Sequence, residues 1–459
     1  MRDILITLIV FGAIPLVFKR PWTGILLFSW ISYMNPHRLT YGFAYSFQFA
    51  LIAAIVTIIA FALSKERKKI PLTPISIMLL IFIAWTAITT LTALAPENAN
   101  ARFIEFVKIQ LMTILTLAMI NTKHRLNWLI VMIVFSIGYY GVRGGVFSVM
   151  TGGNYRVWGP PGSFFEDNNQ LALTLIMTMP LMHYLQLIST NKWVRRLLSI
   201  VILLTLGAII GTYSRGALLA LSVMGFVLWL RSSKKLPVAF AAAICIVGVL
   251  SFMPQKWFDR MDTINTYEED ESASGRFDAW IFAINVANDR LFGGGFKVNT
   301  NADLWPIYNP ESPAVRAPHS IYFEVLGEHG YIGLILFLGI GLIAFLTCSR
   351  THRLARGSPE LSWASDLSKM MQVSLVGYAT AGVFLNVATF DLYYHALAII
   401  VVARWLVGNE IAKGRATQST ATSAGHPDSA EQTPSDVPAS GDRPQQALGG
   451  ASGYLIKRR

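Results

Sequence analysis

Charge is scarce in this chain. Of its 459 residues only 14% are Asp, Glu, Lys or Arg, where an ordinary soluble domain carries roughly 25%. The hydrophobic share is 53% and the mean hydropathy +0.48, which excludes a soluble globular enzyme. Cysteine is nearly absent too. Cys245 and Cys348 both sit in or at the end of apolar runs, so neither a disulfide framework nor a thiolate metal site has support. Ten-residue segments of alternating hydropathy are missing, which argues against a β-barrel. The first apolar run, Ile4 to Phe18, is followed by Lys19-Arg20-Pro21 instead of small residues, so it reads as a retained segment and not a cleaved signal. The acidic run Glu268-Glu269-Asp270-Glu271 has no histidine, and its adjacent carboxylates alternate direction. It reads as a solvated patch, and no metal is expected.

What the chain does have is a series of apolar runs, several of about 18 residues or more, each long enough to cross roughly 30 Å of hydrocarbon as a helix. These predict an all-α integral membrane protein, a polytopic bundle of about twelve transmembrane helices. The net charge of +12 falls in short clusters between the runs. That distribution fits positive-inside sorting in a lipid bilayer and gives no reason to infer nucleic-acid binding.

Placing Lys65-Glu66-Arg67-Lys68-Lys69 in the cytoplasm puts three later clusters on the same side: Lys192 with Arg195 and Arg196, Arg231 with Lys234 and Lys235, and Arg350 with His352, Arg353 and Arg356. In that frame residues 1–253 form about ten spans with short loops. Residues 254–318 form a large extracytoplasmic loop with room for helices of its own, and 319–408 supply the last spans. Residues 409–459, rich in Ala, Ser, Thr, Pro, Gln and Gly, read as a disordered cytoplasmic tail. Asp167 or Asn168 is the expected N-cap of a span that begins near Leu171.

The same frame collects the unusual polar residues on the external side: Arg143 and Arg156 in a loop over 141–168, Arg215 in a Ser-Arg-Gly turn, Arg276, Arg316 and His319. Sorting opposes external arginines. An anion site would account for them, because a guanidinium fork holds phosphate oxygens bidentately. The plainer alternative is solvated arginines paired with carboxylates or lipid headgroups. His319 stands where a polar loop ends and a membrane helix begins, with Glu324 and Glu328 following four apart on one helix face. A neutral imidazole there can accept a proton near pH 7; a capping or interfacial histidine is the other reading. Arg102, Glu105 and Lys108 share a helix face, with Lys108 either a substrate contact or a charge neutralised by Glu105.

The Ser-Arg-Gly turn at Arg215, the Gly-Arg pair at Arg276, and Pro318-His319-Ser320 followed by Glu328-His329-Gly330-Tyr331-Ile332-Gly333 resemble the bacterial O-antigen ligases, within the O-antigen ligase and polymerase superfamily. The likeness covers roughly residues 152–346. Met34-Asn35-Pro36-His37-Arg38 is similar to the exosortase-associated O-glycosylation ligases. The resemblance implies a C-type (GT-C) membrane glycosyltransferase at the periplasmic face of the bacterial inner membrane. It would use an undecaprenyl-diphosphate-linked glycan as donor and the lipid A-core of lipopolysaccharide as acceptor, with no cofactor. It maps the catalytic roles onto His319, Arg215 and Arg276; the reading of the residues adds Arg143, Arg156, Lys108, Glu324 and Glu328 as candidate substrate contacts. Ser320 departs from the Asn that many members carry there. A glycan polymerase and a protein O-oligosaccharyltransferase share the chemistry. A lipid-linked sugar transporter would instead place ionisable residues near the bilayer midplane.

Overall fold

Long apolar sequences with few breakers become helices, because in hydrocarbon every backbone N–H and C=O must be satisfied within the segment. The computed structural model describes residues 1–66, 69–231, 235–262, 271–312 and 314–424. Its α-helices, in chain order, are α1 (Arg2–Lys19), α2 (Trp22–Met34), α3 (Phe49–Leu63), α4 (Pro74–Leu91), α5 (Pro96–Met119), α6 (Lys123–Met150), α7 (Asn168–Ile188) and α8 (Lys192–Gly211). Then come α9 (Arg215–Arg231), α10 (Lys235–Phe252), α11 (Gln255–Asp262), α12 (Glu271–Asp289), α13 (Trp305–Tyr308), α14 (Ile321–Ala355), α15 (Ser362–Ala381) and α16 (Asp391–Ala424). Among the described residues there is no β-strand.

The chain divides into two units, residues 1–411 and 412–459. In the second, 412–424 are helical and the rest of the expected tail lies outside the described residues. Arg67 and Lys68 of the first basic cluster, and Glu268, Glu269 and Asp270 of the acidic run, also lie outside them.

Among the described residues, six helices are long and apolar enough to cross a membrane: α4, α6, α7, α8, α14 and α16. The protein is therefore a multi-span helical membrane protein. Other passages counted as spans from sequence fall on shorter or more charged helices: α2 has 13 residues, α3 has 15, and α5 carries Glu97, Arg102, Glu105 and Lys108. The 254–318 segment does hold helices of its own, α11, α12 and α13.

Two features of the bundle position the site. The first is a close crossing of α6 and α8. Gly141, Gly144, Gly145 and Ser148 of α6 face Leu204, Thr205, Ala208 and Gly211 of α8, and a Cβ on Gly145 would sit 2.1 Å from the Leu204 carbonyl oxygen. Small residues let two helix backbones approach where lipid offers no hydrophobic drive for association. The same ends are stitched by the Val157 N–H donating to the Gly211 carbonyl at 2.9 Å, so the 151–167 loop lies against the turn before α9.

The second is a break inside α14. The sequence reads as one continuous helix from Ile321, but Gly330 has φ 67° and ψ −174°, a backbone region open essentially to glycine alone. The break frees the carbonyls of residues 327–329, and each finds another donor. Gly294 N–H serves Gly327 at 2.9 Å, Gly295 N–H serves Glu328 at 2.9 Å, and the Trp85 indole serves His329 at 2.9 Å. This accounting is what a buried backbone requires. It locks the Gly293-Gly294-Gly295 turn against the short first segment of α14, the segment that follows His319.

Candidate active site

His319 occupies the last loop position but one before α14, with φ 42°. This left-handed conformation is one that histidine tolerates better than most residues. Its neighbours fix it from both sides. The Trp280 indole of α12 donates to the Pro318 carbonyl at 2.8 Å, and that ring stacks on Phe323 with centroids 4.6 Å apart. The Ser320 N–H donates to Asn386 Oδ1 at 3.3 Å, while the Ser320 hydroxyl is buried without a partner. Side chains from α12, α14 and the 385–390 loop thus hold one turn in place.

A cavity of about 200 Å³ opens beside it, lined by Gly275, Arg276, Arg316, Ala317 and His319. Gly275 lets Arg316 lie close: a Cβ there would meet the Arg316 side chain at 2.2 Å in its present position. Two guanidinium groups and an imidazole therefore share one cavity at the start of α14. Burial, then the positive charge of Arg276, lower the His319 pKa below its usual 6.5, with Asp167 pulling the other way. The imidazole is consequently neutral at pH 7, the form that can accept a proton.

Arg215 opens α9, with the Ser214 hydroxyl accepting from the Ala217 N–H at 3.2 Å. Phe384 links it to the cavity. A Cβ on Gly216 would lie 2.9 Å from the Phe384 ring, and the Arg276 guanidinium carbon is 5.9 Å from that ring's centroid. Gly216, the residue after Arg215, thus packs on the same ring that the Arg276 guanidinium approaches. Asp167 caps α7 as expected, accepting from Asn169 N–H at 2.9 Å and Gln170 N–H at 3.4 Å, and it is close enough to His319 to act on its charge.

Residues 200–338, which hold α9, α12 and the His319 turn, match the family described as O-antigen ligase. This stretch is similar to the O-antigen ligase family. Residues 1–190 match a family of unknown function. No curated protein matches the chain. The match supports a function of the O-antigen ligase or polymerase type.

The other candidates do not line this cavity among the described residues. Arg156 is exposed, with its guanidinium carbon 5.9 Å from the centroid of the Tyr213 ring, two residues before Arg215. Arg143 does not sit in a loop. It lies within α6, which runs ten residues beyond Tyr140, where the sequence reading ended it, because Gly144, Gly145 and Ser148 keep packing against α8. Its side chain is exposed.

Glu324 and Glu328 are engaged elsewhere. Glu324 accepts from the Ala388 N–H at 3.1 Å, and Glu328 accepts from the Lys297 N–H at 2.8 Å. Arg102 pairs with Glu105 at 2.6 Å and donates to the Thr389 hydroxyl, so it and Glu324 hold the same 385–390 loop. Lys108 is exposed on α5. Arg316 was visible as one of the external arginines, but Trp280, Phe384 and Asn386 carry no local sequence signal. Their roles appear only when α12, the 385–390 loop and the His319 turn meet.

Proposed function

We propose that this protein transfers a glycan from undecaprenyl diphosphate to the lipid A-core of lipopolysaccharide at the periplasmic face of the bacterial inner membrane. The observation that carries this reading is the shared cavity of Arg276, Arg316 and a neutral His319 inside the stretch that matches the O-antigen ligase family, with Gly216, next to Arg215, packed on the Phe384 ring that Arg276 also approaches.

The chemistry needs two things: absorption of the negative charge that gathers on the leaving diphosphate, and removal of the acceptor hydroxyl proton. Arg215 and Arg276 are assigned to the diphosphate, where fixed guanidinium donors stabilise charge as it develops. His319 orients the acceptor hydroxyl and takes its proton. The hydroxyl oxygen bonds to the anomeric carbon as the carbon–oxygen bond to the diphosphate breaks, with inversion at that carbon. Undecaprenyl diphosphate leaves with the bonding pair, and the proton on His319 passes to water. Because the arginines supply the positive charge, the transfer is assigned as metal-independent.

The test is reconstitution of the purified protein with undecaprenyl-diphosphate glycan and lipid A-core in the presence of a chelator. A larger lipid product is the expected result. A product formed only with a glycan or a protein acceptor would replace the acceptor in this reading, and no consumption of donor under any condition would overturn it.

A further inference from the structure

Beyond its break at Gly330, α14 runs 25 residues from Tyr331 to Ala355, about 37 Å at roughly 1.5 Å per residue. That exceeds the thickness of the hydrocarbon layer, so the two ends of α14 belong to opposite membrane faces. At the end remote from His319 the protein has a second and larger cavity, of about 560 Å³, whose lining includes Arg231, His352, Arg356, Ser365, Asp366 and Lys369.

Three cations enter this cavity from three different places: Arg231 from the last residue of α9, Arg356 from just past α14, and Lys369 from α15. Among the described lining residues the one carboxylate, Asp366, lies 3.8 Å from Lys369. Arg231 is held by a buried amide. Gln372 accepts from its guanidinium and donates to the Phe345 carbonyl at 2.9 Å and to the Ser349 hydroxyl at 2.6 Å. His352 Nδ1 and the Ser365 hydroxyl are 2.8 Å apart on the same wall. The first turn of α15, which begins at the cavity, carries no acidic residue and no side-chain cap.

Charge sorting alone does not explain this arrangement. Arg350 and Arg353 are exposed at the same end and suffice for a basic boundary, whereas Arg231, Arg356 and Lys369, though in large part exposed themselves, converge on one open cavity. An excess of cations over carboxylate, joined by hydroxyl groups, is the complement of a phosphate group. Basic pockets between membrane helices hold such groups.

We propose that this cavity is a phosphate-binding site, occupied by the headgroup of an anionic phospholipid or by free phosphate. It is independent of the His319 site and of the reaction assigned there.

The test uses the full-length protein in nanodiscs, with Arg276→Gln in the background so that the cavity beside His319 is weakened as a competing anion site. Phosphatidylglycerol is titrated against phosphatidylcholine and retention read by native mass spectrometry. Inorganic phosphate is titrated into neutral nanodiscs by calorimetry. The expected result is saturable binding of one or both, weakened about tenfold or more by Arg356→Gln with Lys369→Gln. Binding of phosphatidylglycerol alone assigns the lipid headgroup; binding of both assigns a phosphate group in either form. Absence of saturable binding by either probe overturns the proposal, as does affinity unchanged in the double variant. Should the double variant lose its helical signal, Lys369→Gln alone decides, since that half-exposed side chain can be neutralised without disturbing the Gln372 network.

Discussion

Gly330→Ala should destabilise the protein and disable the site together. At φ 67° and ψ −174°, an L-residue carries strain of about 1–3 kcal/mol. The added Cβ would also lie 2.4 Å from the Leu291 carbonyl oxygen and 3.1 Å from the Gly293 nitrogen, both backbone atoms that cannot rotate away. Relief requires the 291–295 turn to retreat. That strains the two bonds from Gly294 and Gly295 to the carbonyls of Gly327 and Glu328, each contributing about 1 kcal/mol.

The expected loss is thus about 2–4 kcal/mol, the range of a substitution with a specific backbone mechanism. Gly225→Ala in α9 is the matched control. Nothing lies within 4 Å of its Cβ position, and alanine is favoured over glycine in a helix by up to about 1 kcal/mol. The assay is unfolding by SDS in mixed micelles, followed by circular dichroism, with glycan transfer measured on the folded protein. If Gly330→Ala came within about 0.5 kcal/mol of the unaltered protein, the bounds of an ordinary surface change, the break in α14 would not be what holds the turn.

Two further outcomes concern the cavity. The lowered His319 pKa means the neutral form persists below pH 6.5, so the acid limb of transfer activity should fall below that value; Arg276→Gln removes one cause of the lowering, and the His319 titration read by NMR should move up toward 6.5. No upward movement would separate Arg276 from His319. Trp280→Phe keeps an aromatic ring against Phe323 but removes the donor to the Pro318 carbonyl. It should cost about 1 kcal/mol of stability and lower the transfer rate while donor affinity is retained.

The residues that bear charge in the cavity were legible in the sequence because each breaks a local rule. Arg276 stands in the long polar segment between two apolar runs and His319 ends that segment at a span, while Arg215, outside the cavity lining, leaves almost no loop between two apolar runs. The Asp167 cap was legible for a similar reason, a short acceptor side chain placed before a long apolar run. What holds these groups was not legible. Phe384, Asn386 and Trp280 lie 65, 67 and 39 residues from His319 in the chain and reach Arg276, Ser320 and Pro318 around it only through packing of α12, α14 and the 385–390 loop. The two glutamates after His319 have the spacing of a shared face, but their carboxylates are drawn to the backbone N–H groups of Lys297 and Ala388, donors that no helical periodicity reveals. Arg143 was misplaced because small residues that look like a turn are, on α6, a packing surface for α8.

The most direct measurement is the rate of glycan transfer by His319→Ala, at equal amounts of folded protein and saturating donor. If the His319 imidazole takes the acceptor proton, the rate should drop by about 10²–10⁴-fold with donor binding preserved. A rate within about twofold of the unaltered protein would contradict the assignment.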